Sequence, residues 1–160
     1  MNHLRFEIGS HVIYALFNAF KEARAAFLQA DDTGSKVKLA ADFLLSRLLR
    51  ASWCPQRNRS RVADIASMRI NYRFNRGDLQ SIREVLLEDC YRLPFPLEPL
   101  NILDLGANIG LTSLWMWKQF RPKRIIAVEC DPENAGIVRL NFQANNLPGE
   151  VVEAAVGSRS

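Results

Sequence analysis

Polar and apolar positions change rhythm twice along these 160 residues. From Ser10, the apolar residues Ile13, Leu16, Phe17, Phe20, Ala23 and Phe27 recur every three or four positions, with Lys21, Glu22 and Arg24 between them. That spacing predicts a helix capped by Ser10 and buried along one stripe. DDTGS at 31–35 interrupts it, after which Val37, Ala41, Leu44, Leu45, Leu48 and Leu49 resume the period up to Trp53. The two runs predict a helical hairpin whose stripes pack on each other or cover the domain behind them. MRINYRF at 68–74 has a period of two, with Met68, Ile70, Tyr72 and Phe74 alternating with Arg69, Asn71 and Arg73, which predicts a half-buried strand. NRGD turns the chain, and Asp78 is placed to cap a helix from Leu79 to about Asp89, buried through Leu79, Ile82, Val85 and Leu86. LPFPLEP, with prolines at 94, 96 and 99, predicts a stiff connector without regular structure.

Beyond residue 100 the pattern becomes strand, helix, strand, helix, strand. NILDL forms the first strand, and LTSLWMWKQF from 111 forms a helix that stops before Arg121 and Pro122. RIIAVE at 124–129 is continuously apolar from Ile125 to Val128, as a parallel strand covered on both faces should be. Asp131 caps the next helix and Pro132 opens it, with Ile137, Val138, Leu140 and Phe142 inward and a stop at NNLPG. EVVEAAVG makes a third strand. The alternation predicts an α/β unit on a parallel sheet with right-handed crossovers.

Composition adds exclusions. With 48% hydrophobic and 24% charged residues, the chain belongs with folded, water-soluble proteins. The cysteines at 54, 90 and 130 have no CxxC spacing, and His3 and His11 are the only histidines, which excludes a Cys/His metal cluster and suits a reduced cytoplasmic setting. Val12 to Phe20 is an apolar run far short of the roughly 20 residues that span a membrane, and charged residues flank it. Charge is uneven: residues 1–77 hold 13 Lys/Arg against 6 Asp/Glu, and residues 78–160 hold 8 against 11. The two halves therefore read as different modules. The basic excess peaks at Arg57, Arg59 and Arg61, which reads as a solvated loop; no aromatic-basic platform accompanies it, which argues against a nucleic-acid partner.

The candidate chemistry sits in DLGANIG. In a strand-turn-helix unit this turn lies at the carboxyl end of the strand, where open parallel sheets place their ligands. Gly106 and Gly110 remove side chains there, but Asn108 and Leu111 stand where G-x-G-x-x-G would have its other glycines. That argues against a dinucleotide, and the absence of a following Gly-Lys-Ser/Thr argues against a P-loop. Glu129 ends the second strand 19 residues past Gly110, a place from which a carboxylate can accept hydrogen bonds from ribose hydroxyls. A nucleoside without a pyrophosphate fits, and S-adenosylmethionine is such a ligand. Its ribose would sit on Glu129, its amino-acid end near Gly106 to Gly110, and its cationic amino group near Asp104.

These stretches resemble the FkbM-type S-adenosylmethionine-dependent methyltransferases, whose (V/I)D(V/L)GANIG and VEPDPEN signatures correspond to ILDLGANIG and AVECDPEN. RINYRFNRGDLQSIREVLLEDCYRLPF is similar to the family's lead-in, and VVEAAVGS to its third strand and following loop. The likeness covers about residues 68–160; residues 1–60 form a helical amino-terminal segment outside it. It implies an incomplete Rossmann-like class I methyltransferase fold, with three parallel strands and their helices. It also implies cofactor roles for Asp104, Gly106, Ala107, Asn108, Gly110 and Glu129, and for Ala155 and Val156 beside the adenine. Cys130 replaces the family's usual proline. The implied reaction is O-methylation of a small molecule or sugar hydroxyl.

The family's fourth strand, which helps form the acceptor site, would follow residue 160. The expectation is therefore a fragment whose NILDL edge is open unless a second chain completes the sheet. No histidine lies near the turn, and no catalytic base is assigned. Two other readings stand beside this one: a cofactor-binding scaffold without turnover, and a nucleic-acid methyltransferase that uses the basic amino-terminal half.

Overall fold

The computed structural model describes residues 2–48 and 58–157, with side chains described for 14–47 and 58–157. Leu49, Trp53, Cys54 and Arg57 lie outside the described residues, and of Ser10, Ile13 and Leu48 only the backbone is described. Helices α1 (Asn2–Gln29) and α2 (Thr33–Leu48) form the expected hairpin. Ser10 is an interior position of α1 rather than its cap. Helix growth adds one hydrogen bond per residue once nucleated, and the lone Gly9 costs only about 1 kcal/mol, too little to stop it.

The expected stripe of α1 is displaced. Ala19, Ala23, Ala26 and Ala30 are buried, at 0, 5, 0 and 4% exposure, while Phe17 and Phe20 stand 67 and 66% exposed. The alanines share the helical period, and their small side chains let α1 approach its neighbours closely. In α2 the inward residues are Ser35, Leu39, Asp42 and Phe43, and Val37 and Leu45 face out. Asp42 tolerates burial because Tyr72 Oη donates to its Oδ2 at 2.7 Å and Arg61 Nε lies 3.2 Å away.

Strand β1 (Ser60–Ile65) pairs antiparallel with β2 (Met68–Arg73), so Arg61 belongs to a strand rather than to a polar loop. Ala66 and Ser67 both have positive φ, 51° and 57°, the geometry of a tight two-residue hairpin that usually announces itself with Asn-Gly. β2 buries Met68, Ile70 and Tyr72 as its alternation predicts, and Phe74, one residue past the strand, is buried too.

Its outer edge meets a helix instead of a strand, and side chains take over the hydrogen bonding there. Asn145 accepts from Arg69 N–H at 2.8 Å and donates to Arg69 C=O at 2.8 Å. One turn earlier, Asn141 accepts from Asn71 N–H at 2.6 Å and donates to Asn71 C=O at 3.0 Å. Asp78 accepts from Arg73 N–H at 2.7 Å. Two residues along a strand match one turn along a helix closely enough for this register to hold.

Helix α3 (Arg76–Ile82) starts three residues before the expected Leu79, because Asn75 is the cap, accepting from Asp78 N–H at 2.8 Å. Asp78 is thereby turned back onto Arg73. A π-helical turn, Arg83–Leu87, continues α3. Glu22 receives Arg83 at 3.1 Å and Arg47 at 2.6 Å, tying this turn to the helical hairpin.

Strands β3 (Asn101–Leu105), β4 (Arg124–Glu129) and β5 (Glu150–Glu153) form a parallel sheet in the order β3-β4-β5. Helices α4 (Leu111–Phe120) and α5 (Pro132–Ala144) connect them. Asp131 caps α5 by accepting from Glu133 and Asn134 N–H at 2.8 and 3.0 Å. The inner face of α5 departs from expectation at one place: Leu140 is 51% exposed and Asn141 is 0% exposed. The surface that α5 covers there is the polar edge of β2, so an amide fits where leucine cannot. At the other side, β3 is an edge among the described strands, with Leu103 and Leu105 59 and 53% exposed. One buried cluster runs from Ala23 of α1 through β2 and α3 to Val138 of α5.

Asn141→Ala strands the buried Ile109 C=O and the half-buried N–H and C=O of Asn71, and should cost about 3 kcal/mol in urea unfolding. Asn145→Ala, whose bonds to Arg69 are exposed, should cost less than about 1 kcal/mol, because water replaces them.

Candidate functional site

The residues singled out in DLGANIG and at Glu129, Ala155 and Val156 converge at the carboxyl ends of β3, β4 and β5. The turn after β3 is pinned to β4, since Gly106 and Ala107 N–H both donate to Val128 C=O, at 2.9 and 3.0 Å. Gly106 has φ +79° and open space where a Cβ would stand, so the backbone is approachable there. Gly110, at φ +82°, is close-packed instead: a Cβ would lie 3.0 Å from Val138 Cγ1, so this glycine lets α5 press on the turn. Between them Asn108 adopts φ 52°, which asparagine tolerates better than other non-glycine residues.

Gly110 is also the cap residue of α4 and supplies no capping side chain. The first amides of α4 therefore present donors and the positive end of the helix dipole to whatever fills the turn, a setting that suits a carboxylate.

Glu129 is 6% exposed, and its carboxylate joins the two turns. Oε2 accepts from Asn108 N–H at 2.8 Å, and Oε1 accepts from Asp131 N–H at 2.9 Å and from the Cys130 thiol at 3.7 Å. Glu129 thus braces the turn after β3 against the turn after β4. A carboxylate offers about four acceptor positions, so acceptor capacity remains for a ligand. Cys130, standing where proline is usual in the resembling family, keeps the Glu129 position intact and adds a weak donor.

Asp104 accepts from Ser113 Oγ at 2.6 Å. Burial pushes its carboxyl above the ordinary aspartate range, the Ser113 hydrogen bonds oppose this, and the negative Glu129 adds to the rise. A cation brought beside Asp104 would be held strongly in such a place. Ser113 and Ser81 join the site without any sequence signal: Ser81 Oγ accepts from Asn108 Nδ2 at 2.8 Å, linking α3 to the turn. Asn141 is a third such residue, donating to Ile109 C=O at 2.8 Å. Ala155 and Val156 follow β5 and are exposed, and Ala154 N–H donates to Glu129 C=O at 3.1 Å.

A cavity of about 810 Å³ lies at the other end of the sheet, beneath the proline connector, with Leu100, Trp115, Phe120 and Lys123 among its walls. It lies away from the carboxyl-end turns, and neither Asp104, the Gly106–Gly110 turn, Glu129 nor Val156 lines it. Among the described residues, no group of His, Cys, Asp and Glu is arranged to hold a metal ion.

No protein-family model matches the chain. It is 31% identical over 68 residues to Methyltransferase 1 of Beauveria bassiana, a match covering 42% of this chain and 27% of that protein. The chain thus spans about a quarter of that relative's length. Among solved structures it is similar to TYW2 of M. jannaschii in complex with AdoMet, at 16% identity and TM-score 0.44, covering 59% of this chain and 43% of that one. It is also similar to P. horikoshii TYW2 in complex with MeSAdo, at 15% and 0.45, covering 61% and 37%. A M. jannaschii tRNA methyltransferase matches at 15% and 0.40, covering 62% and 30%.

Because the folded protein holds the Asp104 proton more tightly than the unfolded chain, the stability owed to Asp104 is complete below about pH 3.9 and falls as pH rises through its folded pKa. Asp104→Asn keeps an acceptor for Ser113 without the buried charge. It should melt at a higher temperature than the natural protein at pH 7, with the gap closing as pH approaches 4. Glu129→Gln turns an amide N–H toward a backbone N–H and should lose about 1–3 kcal/mol in urea unfolding.

Proposed function

We propose that this chain is the cofactor-holding part of an S-adenosylmethionine-dependent methyltransferase of the FkbM type, acting on a hydroxyl of a small molecule or sugar. The observation that carries the reading is the single assembly made at the carboxyl ends of the parallel strands by the Gly106–Gly110 turn and the buried Glu129. Its parts fit the cofactor group by group. The uncapped amides of α4 suit the methionine carboxylate, and Asp104 suits its ammonium. The one acceptor position left on Glu129 suits a ribose hydroxyl, and the loop through Ala155 and Val156 suits the adenine. The cofactor, once bound, supplies an electrophilic methyl group. This chain's residues orient it, and the hydrogen bonds of Glu129 and Ser81 hold the turn in place beforehand.

The β3 edge, unpaired among the described strands and showing Leu103 and Leu105, supports completion of the sheet by another strand. The nucleic-acid reading gains nothing from the basic amino-terminal half, where several arginines already face carboxylates: Arg47 on Glu22, Arg61 on Asp42, Arg69 on Asp64 and Arg73 on Asp78.

Calorimetric titration should show S-adenosylmethionine binding and no NAD binding; the reverse would refute the reading. Asp104→Asn, though more heat-stable, should weaken S-adenosylmethionine binding by about 1.5–3 kcal/mol through loss of a charge-assisted bond. Unchanged affinity would remove Asp104 from the site.

A further inference from the structure

Helix α1 turns its larger apolar side chains outward. Tyr14, Leu16, Phe17, Phe20, Phe27 and Leu28 are 68, 38, 67, 66, 44 and 63% exposed. At 100° per residue these six share a sector of about 160° with the exposed Lys21 and Arg24. Glu22, the carboxylate among residues 14–28, points elsewhere and is held by Arg47 and Arg83. Where the helix ends, Asp31 accepts from Ser67 N–H and Asp32 from Ser35 N–H. Lys36 of α2 borders the face, its Nζ 6.0 Å from the centre of the Phe27 ring. Among the described residues the face is therefore aromatic, aliphatic and cationic, with no carboxylate inside it.

An exposed helix face carrying this many large apolar side chains marks a contact site. Its charge decides between occupants. A second copy of the same face would bring Lys21 and Arg24 toward their own equivalents with no carboxylate to answer them, whereas an anionic lipid surface answers both the charge and the apolar area. We propose that the outward face of α1 lies in the plane of an anionic lipid surface. The rings of Phe17, Phe20 and Tyr14 enter the headgroup boundary, and Lys21 and Arg24 extend to lipid phosphates. Among the described residues no helix is long and apolar enough to cross a membrane, and lying in the interface needs none. This inference is independent of the proposed transferase activity.

The test is co-flotation of the full chain with phosphatidylcholine vesicles, with and without phosphatidylserine. Binding should require phosphatidylserine and weaken as salt is raised. Lys21→Ala with Arg24→Ala should lower the partition coefficient roughly thirtyfold, about fivefold per cation. Phe17→Ser with Phe20→Ser should abolish flotation. These side chains are exposed, so far-UV dichroism should be unchanged in both variants, and light scattering should show the same oligomeric state for the natural chain and for both variants. Equal flotation on vesicles lacking phosphatidylserine, or flotation unaffected by either pair of substitutions, would overturn the proposal. So would a dimer dissociated by the phenylalanine substitutions in a chain that does not float.

Discussion

The outer edge of β2 is the constraint on which the rest of this structure depends. Its backbone N–H and C=O groups are covered by a helix, which has no backbone donors or acceptors to spare along its side, and leaving them bare would cost several kcal/mol. Asp78, Asn141 and Asn145 substitute their side chains for the missing strand. The substitution fixes α5 in both rotation and translation, since Asn141 and Asn145 must each meet a particular residue of β2. It also reaches the candidate site, because Asn141 holds Ile109 C=O, and Val138 on the same helix fills the space beside Gly110. The β-hairpin and the glycine turn thus share one brace.

That brace explains how the turn can carry two carboxylates close together. Asp104 and Glu129 repel each other in a poorly solvated place, and each survives there by a different means. Glu129 is surrounded by backbone donors that belong to the turns themselves, so its charge stabilises the loop geometry. Asp104 has the single hydroxyl of Ser113 as its side-chain donor and remains costly to ionise. A site built this way is stabilised by the arrival of a cation, and some fold stability is given up for that readiness.

The exposed apolar surfaces follow the same logic of satisfied and unsatisfied partners. Alanine was small enough to take the inner face of α1, which left the phenylalanines on the outside. The edge of β3 displays Leu103 and Leu105 because the described sheet ends there.

Local periodicity and capping chemistry were sufficient to specify the ends of α4, β4 and α5, because Asp131, Pro132 and an unbroken apolar run act through their nearest neighbours. The same holds for the alternation of β2 and for the convergence of Gly106, Gly110 and Glu129, which follows from strand-turn-helix connectivity. The hairpin turn at Ala66 and Ser67 was invisible, since its positive φ angles are imposed by the pairing of β1 with β2 and neither residue favours them. Which stripe of α1 faces inward, why Asn141 rather than Leu140 is buried, and that Glu129 braces a turn 21 residues away were decided only when distant segments met. A sequence states how apolar each residue is, but what a side chain must satisfy is set by the surface it is pressed against.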